Sequence, residues 1–113
     1  MNEIRRVLFV CLGNTARSPA AEYLGHYHAK KMNIDLKFDS CGFFNAFSYM
    51  QPESRSYLDS KGINHSDFTP KIVNQRLLEK QDLILTMENT HSQDIKRDFN
   101  NIIDIGKKTY TLK

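Results

Sequence analysis

The residues most suited to chemistry stand together near the N-terminus, in Val10-Cys11-Leu12-Gly13-Asn14-Thr15-Ala16-Arg17-Ser18-Pro19. A loop that runs straight into a helix turns several backbone N–H groups into its own concavity, and the helix dipole adds partial positive charge there. Such a hollow favours an oxyanion. A thiol at its rim, next to those N–H groups and the Arg17 guanidinium, is stabilised as a thiolate and becomes a nucleophile at neutral pH. The planar fork of Arg17 can hold two non-bridging oxygens of a phosphoryl group while sulfur attacks phosphorus in line with the leaving oxygen. Ser18 can hydrogen-bond the sulfur and help it depart when water cleaves the thiophosphate. Cys11, Arg17 and Ser18 are therefore the candidate catalytic residues, and Leu12, Gly13, Asn14, Thr15, Ala16 and Arg17 the candidate phosphate-binding ones. A cysteine six residues before an arginine is common by chance, so the elements around it must carry the argument.

Those elements read as follows. Ile4 to Val10 ends in four consecutive apolar residues, as a strand buried on both faces does, which puts Cys11 at its C-terminal end. Ser18-Pro19 suits a helix N-cap with proline at the first position, and Ala20, Tyr23, Leu24 and Tyr27 repeat at helical spacing up to about Met32. Ile34, Leu36 and Phe38 alternate with charged residues, as in a half-covered strand, and stop at Ser40-Cys41-Gly42. A short helix over Glu53–Lys61, another over Asn74–Lys80, a strand over Leu83–Thr86, a helix over Asn89–Phe99 and a fourth strand over Ile102–Ile105 follow. Strand and helix alternate, which predicts an α/β fold: a doubly wound, four-stranded parallel sheet with helices on both faces and ligands outside the strand C-termini.

The chain has 113 residues, enough for one domain, and 40% hydrophobic with 26% charged residues fits a packed globule. A net charge of +3, dispersed along the chain, argues against nucleic acid and mildly favours anionic substrates. No apolar run is long enough for a membrane span and no signal-peptide pattern precedes the first strand, so a cytoplasmic protein is expected, with Cys11 and Cys41 as free thiols. His26, His28, His65 and His91 lack ligand spacing and read as surface residues, so neither metal nor cofactor is expected. Lys30-Lys31 and Lys107-Lys108 read as solvated pairs, and Phe43, Phe44, Phe47 and Tyr49 as loop packing more than a substrate wall. No Gly-x-x-x-x-Gly-Lys or Gly-x-Gly-x-x-Gly fingerprint occurs, which removes the common nucleotide-binding readings.

The motif resembles that of the low-molecular-weight protein tyrosine phosphatases, a strand ending in Val-Cys-x-Gly-Asn-x-x-Arg-Ser-Pro followed by x-Ala-Glu, here Val10 to Pro19 and Ala20-Ala21-Glu22. The likeness continues through Asp39-Ser40-Cys41-Gly42, Lys61-Gly62-Ile63 and Asp82 to Glu88, in the same order. It implies Cys11 as nucleophile, Arg17 as phosphate clamp, Ser18 as thiolate partner, and Asn14 with Ser40 as residues bracing the loop. The activity implied is removal of phosphate from phosphoprotein, above all phosphotyrosine, through a cysteinyl-phosphate; small aryl phosphates would serve as well.

Two departures stand out. The residue before the loop arginine, a second cysteine in most family members, is Ala16. The family's general acid lies in an Asp-Pro-aromatic loop ahead of a last helix, and no Asp-Pro occurs here, which leaves Asp94, Asp98 and Asp104 as late candidates. Without that last helix the sheet face carrying the first helix would be under-covered, so the reading expects either a C-terminally truncated piece of a longer chain or a partner subunit or swapped segment over that face. Thr15 sits where an arginine-phosphatase branch looks similar, which makes protein arginine phosphatase an alternative. A non-catalytic phosphate-binding module is another. Arsenate reductase is a weaker one, since it needs further cysteines after Cys41.

Overall fold

The computed structural model describes residues 4–14, 17–44 and 49–112. Its elements are β1 (Arg6–Val10), α1 (Arg17–Lys31), β2 (Lys37–Cys41), α2 (Pro52–Ser60), α3 (Gln75–Glu79), β3 (Leu83–Thr86), α4 (Asn89–Asp98), α5 (Ile105–Lys108) and β4 (Thr109–Thr111). The four strands form one sheet in the order β2-β1-β3-β4, every pair parallel, as the alternation of elements predicts. Val10 pairs with Cys41 and with Thr86, so the strands end level and the loops after β1, β2 and β3 share one edge. That edge is where the thiol loop sits.

The two sheet faces are filled unequally. Leu8, Val10, Cys41 and Ile84 point to one face, where Leu77 and Leu78 of α3, Ile95 of α4, Ile102 and Ile105 close a continuous apolar core. On the other face, α1 crosses β2 and β1. Ser18, Glu22 and Ala29 of α1 are buried, and a Cβ on Gly25 would come within 2.8 Å of the Phe38 ring, so this helix lies close because its sheet side is small and polar. The Tyr23 and Leu24 side, read from spacing as the apolar face, packs instead on a second cluster of Met50, Leu58 and Ile63. By register Leu83, Leu85 and Tyr110 share the α1 face; the two leucines are half-buried and Tyr110 is 54% exposed.

Several expectations need correction. The fourth strand is Thr109–Thr111, not Ile102–Ile105: Ile102 and Ile105 are buried three residues apart while Ile103 is 84% exposed, a helical spacing, and Asp104 turns the chain with φ 69°. β2 begins at Lys37 because Asn33 (φ 57°) and the bond from Ile34 N–H to the Ala29 carbonyl first close α1, which leaves Ile34 exposed. α1 begins at Arg17, so Ser18 is no N-cap; Pro19 is tolerated because first-turn N–H groups have no intrahelical partner. His91 is buried rather than on the surface. Lys108 is not a solvated partner of Lys107: its ammonium donates to the carbonyls of Leu78, Glu79 and Gln81, and burial lowers its pKa. No helix among the described residues is long and apolar enough to cross a membrane.

Candidate active site

β1 delivers Cys11 to the loop edge, where its N–H bonds the Cys41 carbonyl at 3.2 Å and so remains tied to β2. The chain then turns through Leu12, Gly13 and Asn14, the last with φ 52°, a left-handed conformation that asparagine tolerates better than most residues. Asn14 is wholly buried and satisfied at both ends of its amide. Its Nδ2 donates to Ser18 Oγ at 3.0 Å, and its Oδ1 accepts the Lys71 N–H at 2.7 Å. The β2 end presses on the same turn: Phe43 N–H bonds the Leu12 carbonyl at 2.7 Å, and a Cβ on Gly42 would lie 2.6 Å from the Asn14 nitrogen. Only glycine fits there, although the sequence marks Gly42 merely as the end of a strand.

Cys11 Sγ and Ser18 Oγ are 2.9 Å apart and buried. Ser18 has a single hydroxyl hydrogen and already accepts from Asn14, while the Cys41 carbonyl, at 3.5 Å, lies at the limit of a hydrogen bond. The hydrogen therefore favours the sulfur, which places Ser18 to donate to Cys11. Among the described residues no protein acceptor takes the N–H of Leu12, Gly13 or Asn14, so the turn keeps donors for an oxyanion. Thr15 and Ala16, expected to add two more, lie outside the described residues.

Arg17 opens α1 with its side chain at the mouth, where Nη2 meets Glu88 Oε1 at 3.1 Å; the two side chains are 53% and 54% exposed. Glu88 is held firmly. Its carbonyl accepts from Thr86 Oγ1, His91 N–H and Ser92 N–H, and the neighbouring Met87 N–H bonds the Val10 carbonyl. Neither Glu88 nor Lys71 carries a local signal of a role, because each meets the loop only through the fold. Ser40, expected with Asn14 to brace the loop, donates its hydroxyl to Glu22 of α1 at 2.5 Å.

Other candidates fall elsewhere. Asp94 and Asp98 both pair with Arg97, and α4 starts at the loop edge and runs away from it at ~1.5 Å per residue, which carries both from Cys11. Cys41 points with Val10 into the core under α3 and α4; both cysteines are free, and burial pushes the Cys41 thiol far above its ordinary range. Phe43 packs on the core and against His91 with ring centroids 5.1 Å apart, Phe44 and Tyr49 are exposed, and Phe47 lies outside the described residues. Among the described residues no group of His, Cys, Asp and Glu is placed to hold a metal ion.

The model of the low molecular weight phosphotyrosine protein phosphatases matches residues 6–106. The chain belongs to that family. Within it, the chain is 34% identical over 108 residues to a protein-arginine-phosphatase of Bacillus subtilis, covering 95% of this chain and 69% of that protein. It is 38% identical over 94 residues to the low molecular weight protein-tyrosine-phosphatase PtpB of Staphylococcus haemolyticus, covering 80% and 62%. Among solved structures, the low molecular weight protein tyrosine phosphatase of T. tengcongensis superposes with a TM-score of 0.83 at 31% identity, covering 95% of this chain and 72% of that one. A mutant of the YwlE arginine phosphatase with a phosphorylated active-site serine gives 0.83 at 30% identity, covering 94% and 68%. This family member thus spans about two thirds of the length of the relatives it matches.

Proposed function

We propose that residues 1–113 form a single phosphatase domain that removes phosphate from phosphoprotein, phosphotyrosine first, through a cysteinyl-phosphate on Cys11. The observation that carries the reading is the Cys11 thiol 2.9 Å from Ser18 Oγ, on a turn whose Leu12, Gly13 and Asn14 N–H groups have no protein acceptor among the described residues. Sulfur attacks phosphorus, the bond to the leaving oxygen breaks, and that oxygen takes up a proton from solvent water. Arg17 leaves Glu88 and spans two phosphoryl oxygens, while the turn donors meet the charge that builds on the phosphoryl group. Water then attacks phosphorus and gives up its proton to solvent, the P–S bond breaks, and Ser18 steadies the departing thiolate. No metal or redox partner is needed in either step. Cys11→Ser is expected to abolish turnover of an aryl phosphate while phosphate still binds, since the donors and Arg17 remain; turnover near the normal rate in that variant overturns the reading.

Phosphoarginine is the second reading, favoured by Thr15 and by the arginine phosphatase of Bacillus subtilis among the relatives. If Thr15 sets that preference, Thr15→Ile shifts the ratio of kcat/KM values toward phosphotyrosine by about tenfold, or ~1.4 kcal/mol. An unchanged ratio on paired phosphopeptides removes Thr15 as the selector.

A further inference from the structure

Beside the site lies a buried acid that the reaction does not use. Glu22 stands one helical turn after Ser18 on α1 and keeps only 8% of its surface exposed; its Oε1 accepts the hydroxyl of Ser40, which is fully buried. Ser40 is the residue before Cys41, whose carbonyl receives the Cys11 N–H and the weaker contact from Ser18. The next residue, Gly42, is wedged against the thiol turn. The pair Glu22–Ser40 thus joins α1 to β2 directly beneath the point where both carry the turn.

We propose that Glu22, through Ser40, is a positioning residue for the thiol loop, fixing the end of β2 against α1 so that the Cys41 carbonyl, Gly42 and Ser18 hold Cys11 in its reactive place. This rests on Cys11 being the reactive group of the site.

The charges around Glu22 make that brace sensitive to pH. Burial pushes its carboxyl up to about 7, against an ordinary value of 4.5, with Asp39 of β2 and Asp67 of the loop after α2 raising it further and the Ser40 hydroxyl and Lys71 opposing them. Tyr23, next to it on α1, is engaged with Asp67 at 2.8 Å. Lys71 is the one cation in this set, and its ammonium is held by Asp39. When Glu22 ionises it competes with Asp39 for that ammonium. The Lys71 N–H holds Asn14 Oδ1 and the Lys71 carbonyl takes the Gly42 N–H, so displacement of Lys71 reaches the thiol turn by two bonds. The neutral acid leaves both undisturbed.

The test follows the rate at which iodoacetate alkylates Cys11 between about pH 5 and 8, which reads the thiol and its loop without any phosphatase turnover. Wild type is expected to show a step near pH 7 that Glu22→Gln lacks, because glutamine still accepts from Ser40 but cannot ionise. Ser40→Ala, which leaves Glu22 in place without its hydroxyl partner, is expected to shift the step. The wild-type profile keeps the proposal falsifiable should a variant not fold. A wild-type profile without the step, or one that Glu22→Gln and Ser40→Ala leave unchanged, overturns the positioning role. Failure of the phosphatase reading is a separate result, the absence of a cysteinyl-phosphate with a normal alkylation profile.

Discussion

The two arms of the site are built from opposite materials. On the thiol side, Cys11, Asn14 and Ser18 are buried, and Asn14 bonds at both ends of its amide. On the clamp side, Arg17 and Glu88 meet with more than half of each side chain in water. Hydrogen bonds in a dry, low-dielectric interior fix geometry and are costly to leave unmade, whereas an exposed ion pair is worth about 0–1 kcal/mol. The lesson is a division of labour. On the proposed function, Cys11 is held ready before substrate arrives, and the Arg17 guanidinium can exchange Glu88 for a phosphoryl group at little cost.

The comparison breaks most visibly at Asn14. Asn14→Ala strips Ser18 and the Lys71 N–H of their partner and forces alanine into a left-handed conformation, so a loss of ~2–4 kcal/mol in denaturant unfolding is expected. A fall in kcat/KM of about a hundredfold or more should accompany it, since a shifted nucleophile loses its alignment. Stability and rate close to wild type would mean that the thiol side is not held by its buried bonds. The matching change on the clamp side is the smallest effect anticipated, and the interior acid gives one of intermediate size.

That acid is Glu22. An acid whose pKa is raised on folding, here from 4.5 to about 7, favours the folded state while protonated, so its contribution is full below pH 4.5 and is lost as the pH climbs through about 7. The span corresponds to about 3 kcal/mol. Unfolding free energies of wild type minus those of Glu22→Gln should decline by roughly that amount across the window. A flat difference would show that burial does not penalise the Glu22 charge. Glu88→Gln, by contrast, should move stability by less than ~0.5 kcal/mol and the rate on a small aryl phosphate by only a few-fold. A loss as large as that of Asn14→Ala would place Glu88 among the groups that hold the site rigid.

How far the sequence reaches follows the same division. β1 is legible because four consecutive apolar residues leave a buried strand as the natural reading, and the approach of Cys11 to Ser18 is legible because the turn joining strand to helix is local. The parallel sheet followed from the order of elements. Ile102–Ile105 misled because two buried isoleucines flank a turn, and spacing over four residues cannot separate a turn from a short strand. The polar side of α1 was hidden for another reason: Ser18, Glu22 and Gly25 face the sheet, whereas the apolar repeat of Tyr23 and Leu24 serves the second cluster. Partners such as Lys71 for Asn14, or Glu88 for Arg17, lie 57 and 71 residues away in sequence and become neighbours only when strands 1, 2 and 3 align.

The most direct test of the central claim is to mix the protein with an excess of a good aryl phosphate, quench it in acid within the first turnover, and map the product by peptide mass spectrometry. The account predicts a thiol-linked phosphoryl group on the peptide containing Cys11, formed as fast as the phenol is released, and no such fast adduct in Cys11→Ser, where any phosphoryl group is a serine ester that forms far more slowly. Release of phenol with no adduct on Cys11, or an adduct on a different residue, would contradict it.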